Sequence, residues 1–136
     1  MSERDELISY RIKQAEESLD TAQFLLANGK DIAAAANRIY YACFYALLAL
    51  LADKKVRTSK HSGIISAFDR EFVKKGFFAK DDSQSIHEAF EIRLEYDYRE
   101  FVSYNLERIK KLLSEIEQFI RRVKEYLGKS AAVTRE

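Results

Sequence analysis

Apolar residues recur at Ile8, Ile12, Ala15, Leu19, Ala22 and Leu26, alternately four and three positions apart, with charged residues between them. That spacing predicts an amphipathic helix over about 4–27 with one core-facing seam. Asn28-Gly29 ends it, because glycine accepts the left-handed conformation of a helix C-terminus without steric cost. Asp31 can then cap a second helix over about 32–53. This segment is apolar on nearly every side except at Asn37 and Arg38, which predicts a central helix surrounded by the others. A basic connector over 54–60 follows, and Ile64, Ile65, Phe68, Phe72 and Val73 mark a shorter third helix, weakened in its first turn by Gly63 and terminated by Gly76. Ser85-Ile86-His87-Glu88 matches a capping box, with Asp82 and Ser83 as competing caps, for a fourth helix reaching about Tyr98. Leu106, Ile109, Leu113, Ile116, Ile120, Val123 and Leu127 repeat the first pattern from about 103 to Gly128. The expectation is an all-α fold, an up-and-down helical bundle of about five helices, forming a single domain over 1–128 with a flexible C-terminal tail over 129–136.

Composition supports this reading and narrows the chemistry. The chain has no proline, four glycines and 47% hydrophobic residues, so few positions break helices. Its 23 basic and 22 acidic residues nearly cancel, so any nucleic-acid contact must come from a local patch. Cys43, the single cysteine, lies in an apolar run where a thiol behaves as a small hydrophobe. The charged N-terminus lacks the apolar stretch of a signal peptide, which favours a cytoplasmic protein. The apolar run over 39–52 is shorter than the roughly 20 residues that cross a bilayer, so no membrane role is expected.

The polar exceptions carry the functional question. Ile86, Phe90 and Arg93 are spaced by four and three, which aims the Arg93 guanidinium along an apolar stripe. An inward arginine keeps its charge and needs an anionic or carbonyl partner; Asp97, four residues on, and Asn37 are the candidates. Asn37-Arg38-Ile39-Tyr40-Tyr41-Ala42, Phe44-Tyr45-Ala46, Lys60-His61-Ser62-Gly63, Phe72-Val73-Lys74-Lys75-Gly76 and the segment from Arg93 to Tyr98 together resemble the HEPN domain family. The resemblance implies a homodimerising helical bundle and, in toxin–antitoxin modules, a minimal nucleotidyltransferase as partner. In many members it also implies a metal-independent ribonuclease in which Arg is followed after four to six residues by His. An arginine suits a phosphate whose negative charge is growing, and a histidine can move protons near neutrality.

Here Arg93 is followed after four residues by Tyr98, and the histidine is missing. With an ordinary pKa of about 10, tyrosine is a poor base at neutral pH, though it can donate a hydrogen bond to phosphate. The Asp97-Tyr98 ending is similar to a branch of the family in which this pair replaces the histidine. In related modules a nearby tyrosine is adenylylated by the partner, which makes Tyr96, Tyr98 and Tyr104 the modification candidates. His61, after Lys60 in the basic connector, is the other candidate to replace the histidine, whereas His87 projects about a turn and a half from Arg93. Tyr40, Tyr41, Phe44 and Tyr45 are expected in the core or a dimer interface. No metal motif is present and no cofactor is implied. The leading expectation is a cleft lined by Arg93, Asp97, Tyr98 and Asn37 that binds nucleotide, RNA phosphate or the partner enzyme, with Tyr96, Lys60 and His61 as further binding candidates. The alternative is an RNA endonuclease using Arg93 with Tyr98 or His61.

Overall fold

The computed structural model describes residues 2–29, 31–58, 61–98 and 105–135; side chains at 61, 62, 97, 98 and 131–135 lie outside that description. Five helices follow in order: α1 Glu3–Ala27, α2 Ile32–Asp53, α3 His61–Phe68, α4 Lys80–Tyr98 and α5 Leu106–Arg135. A π-helical turn, Asp69–Val73, continues α3. No strand occurs among the described residues, and the chain is an all-α bundle.

Local chemistry sets the first two helices. The Ser2 hydroxyl accepts from Asp5 N at 3.1 Å while Ser2 N donates to the Asp5 carboxylate at 3.3 Å, a reciprocal capping box. At the other end Asn28 Nδ2 donates to the Phe24 carbonyl at 2.8 Å, and Gly29 turns the chain at φ +60°. Asp31 then accepts from Ala34 N at 3.0 Å and opens α2. The short turn lays α2 back along α1, where small side chains such as Ala15, Ser18 and Ala22 are buried.

α2 is long and apolar enough to pass for a membrane span. Its neighbours show it to be the core helix instead, since α1, α3, α4 and α5 all pack on it. Gln23–Glu117 at 2.6 Å and Lys124–Glu16 at 3.4 Å set α5 antiparallel to α1. The bridges Asp82–Arg122, Ser85–Glu115 at 2.8 Å and Glu88–Arg108 at 2.5 Å set α4 antiparallel to α5. The end of α4 therefore lies beside the first half of α2.

Three expectations shift. The third helix changes winding after Phe68: Lys74 N donates to the Asp69 carbonyl at 2.8 Å, five residues back, before Gly76 reverses the chain at φ +83°. The fourth begins at Lys80, not near Ser85, because the Asp82 carboxylate reaches back to Ala79 N at 3.1 Å and caps it. Ser85 instead donates to the Asp81 carbonyl and to Glu115. The fifth passes through Gly128 and runs to Arg135, beyond the end expected at Gly128. Ser130 Oγ donates to the Asp53 carboxylate at 3.1 Å and ties this extension to the end of α2, which offsets the roughly 1 kcal/mol cost of a helical glycine.

Candidate functional site

One side of α2 is sealed and the other is not. Ile39, Tyr40, Cys43, Leu47 and Leu50 are buried, whereas Asn37, Arg38, Tyr41, Phe44, Tyr45 and Leu48 are partly exposed and run as a stripe at helical spacing. α4 brings Phe90 and Arg93 against the upper part of this stripe. The Phe90 ring lies 4.7 Å from Tyr40, edge to face. One turn on, Arg93 Cζ stands 4.5 Å from the Tyr40 ring centre and 5.9 Å from that of Tyr41. Arg38 Cζ approaches Tyr41 to 4.9 Å. Two guanidinium groups from different helices therefore flank one tyrosine ring.

A cation–π contact of this kind engages the face of a guanidinium and does not itself use its N–H edge. Arg38 Nη2 uses part of that edge on the Asn37 side-chain oxygen, at 2.8 Å. Asn37 thus serves its chain neighbour. Cys43 lies beneath the same stripe, and burial pushes its thiol well above the ordinary range, which removes it as a nucleophile. The described groups on this face can hold and orient an anion. They include no histidine.

Most of the other expected site residues lie wholly or partly outside the described residues. Asp97 and Tyr98 occupy the last turn of α4, about one turn beyond Arg93, and their side chains lie outside the described residues. His61 opens α3 with its side chain likewise outside the description, and Lys60 and Tyr104 fall outside it altogether. Tyr96 is buried, and its hydroxyl accepts from Asn105 N at 3.5 Å, so it is packed beside the residue that precedes α5 and not displayed on the face. His87 faces Asp69, Nε2 to Oδ2 at 3.6 Å, away from Arg93. Sequence reasoning passed over Arg38 and Tyr41 as site residues. The available signal was their three-residue spacing on the one polar interruption of an apolar helix.

Comparison with known proteins gives the family. The family model described as the HEPN domain matches residues 8–126. A Thermotoga maritima protein named UPF0332 protein is 42% identical over 120 residues, which cover 88% of this chain and 90% of that one. Two Methanocaldococcus jannaschii proteins, each carrying the name putative toxin, are 34% and 33% identical; the alignments cover 85% and 90% of this chain and 78% and 90% of theirs.

Proposed function

Because the chain belongs to the HEPN domain family, we propose that it acts as a toxin-like HEPN protein whose Arg93–Tyr41–Arg38 face binds the phosphate of a nucleotide or of RNA. The observation that carries this reading is the pair of guanidinium groups, 4.9 and 5.9 Å from the same ring centre. Like charges repel, and gathering two on one face raises a positive potential that a phosphate oxygen relieves. Arginine's fork suits that ligand in two-point contact, and the half-exposed Tyr41 offers both a ring and a hydroxyl at its edge. The partly exposed stripe of Tyr41, Phe44 and Tyr45, with Leu94 53% exposed next to Arg93, suits a second copy of the chain closing over the face. A minimal nucleotidyltransferase is the partner that this reading carries forward.

Anisotropy titration with labelled single-stranded RNA, and with a labelled adenine nucleotide, in EDTA tests it. Arg93→Ala and Arg38→Ala should each weaken binding by about tenfold or more, the loss of one charge-assisted hydrogen bond of about 1.5–3 kcal/mol, with helix content unchanged by circular dichroism. Wild type that binds neither ligand, or variants that bind as wild type does, would sink the reading. Analysis of the RNA recovered from the same mixtures separates binding from cleavage.

A further inference from the structure

The opposite end of α2 carries a second cationic site. Arg4 and Arg11 from α1 and Lys55 and Arg57 from the segment after α2 line one groove of about 850 Å³. Leu7, Leu48, Leu51 and Val56 form its apolar floor, and Leu7 is 44% exposed. Among the described lining residues Glu3 is the one acid. The groove is about 20 Å along α2 from Arg38, at 1.5 Å per residue.

Two independent features mark this groove. Among the described residues, none of its four cations reaches a carboxylate within 4.0 Å; Arg11 donates to the neutral Gln14 side chain at 2.9 Å. Arg108, Arg122 and Lys124 elsewhere on the bundle all have acidic partners. The second feature is the backbone of Lys55, at φ +59° the one non-glycine residue with positive φ among those described. Val56 N donates to the Leu51 carbonyl at 2.9 Å and Lys55 N to Ala52 O at 3.1 Å, the closing pattern of a helix end that ordinarily takes glycine at the Lys55 position. A lysine is held there against a backbone preference, and such strain belongs with function.

We propose that this groove docks an acidic, amphipathic helical segment of a partner protein. The segment's leucine-like side chains would enter the aliphatic floor while its carboxylates meet Arg4, Arg11, Lys55 and Arg57, the helix-in-groove mode of recognition. Charge complementarity selects the acidic rim. The floor selects a protein over a nucleic acid, because among the described residues no aromatic ring lines the groove on which a base could stack.

A fluorescein-labelled helical peptide tests the proposal, with leucines at three- and four-residue spacing and glutamates elsewhere. A permuted peptide of the same composition and labelled oligouridylate serve as competitors for the full-length protein. The patterned peptide should bind, and the double variant R11E/R57E should weaken it by about tenfold or more, with the loss concentrated at low salt. Lys55→Gly should weaken the peptide several-fold while raising the melting temperature, a combination that a merely structural lysine would not give. Arg93→Ala should leave peptide binding unchanged, which keeps the outcome separate from that of the phosphate face. Equal binding of the permuted peptide, preference for oligouridylate, no binding up to about 1 mM, or indifference to Lys55→Gly would each overturn it.

Discussion

Two aromatic clusters flank α2 toward its opposite ends, and each carries cations on its rings. Near the C-terminal end, Phe68, Phe72, Phe78 and Phe119 are buried together with ring centres 5.5–5.8 Å apart, and Lys54 Nζ sits 5.0 Å from Phe77 and 5.9 Å from Phe72 and Tyr126. In the other half, Tyr41, Phe44 and Tyr45 remain partly exposed around the buried Tyr40, and the cations are Arg93 and Arg38. Phenylalanine has no hydrogen-bonding edge and gains most when sealed, whereas tyrosine tolerates a wet face because its hydroxyl can bond to water or ligand. Lysine offers a point charge and arginine a planar fork. One combination of ring and cation thus closes the scaffold at one end, and another presents donors at the other.

The comparison can be broken most forcefully at Phe119. Its ring, inaccessible to solvent, touches Phe68 and Phe78, so Phe119→Ala should cost about 3–5 kcal/mol in urea unfolding while leaving the ligand affinity of the folded protein unchanged. Tyr41→Ala should do the reverse. It removes two cation–π contacts at a half-exposed position, so stability should fall by only about 1 kcal/mol while phosphate-ligand affinity falls further, and Tyr41→Phe should restore the stability. Lys54→Met keeps the aliphatic stem and removes the charge above three rings, which should cost about 0.5–1 kcal/mol in the same measurement.

The smallest effect is one of pH. Glu71, in the π-helical turn next to Phe72, is held below the ordinary carboxylate range, first by its bond to Lys75 and then by Arg70. Its folded-state pKa is the lower one, so its contribution is present above the ordinary glutamate range and is lost as pH falls through the folded value. Glu71→Gln should therefore lower the melting temperature slightly at neutral pH and leave it unchanged below the folded value, so that the acid side of the profile is flatter.

α1 and α2 were legible almost to the residue because pattern and punctuation agreed: a three-four seam, a glycine at φ +60°, an aspartate that caps. α4 was harder. Ser85-x-x-Glu88 has the form of a capping box, yet the cap is built by Asp82 reaching back to Ala79, whose own side chain gives no signal. Asp82 is also buried and paired with Arg122, a long-range contact that local patterning does not register. The π-helical turn left no trace in the spacing, and a tertiary bond from Ser130 to Asp53 overrode Gly128. At the site, Arg93 announced itself by standing on an apolar stripe. Arg38 and Tyr41 did not, because their roles depend on which neighbour α4 brings across, and that is decided by the packing of the whole bundle.

Cys43 turns the central helix into its own clock. With its sulfur completely enclosed and its ionisation suppressed by that enclosure, a thiol-reactive dye can label the chain only when the bundle opens. The chain has one cysteine, so each labelling event reports one opening of α2, and the rate can be followed without introducing a reporter. A ligand that settles on either end of that helix and holds the bundle shut would register as slower labelling, by mass action alone.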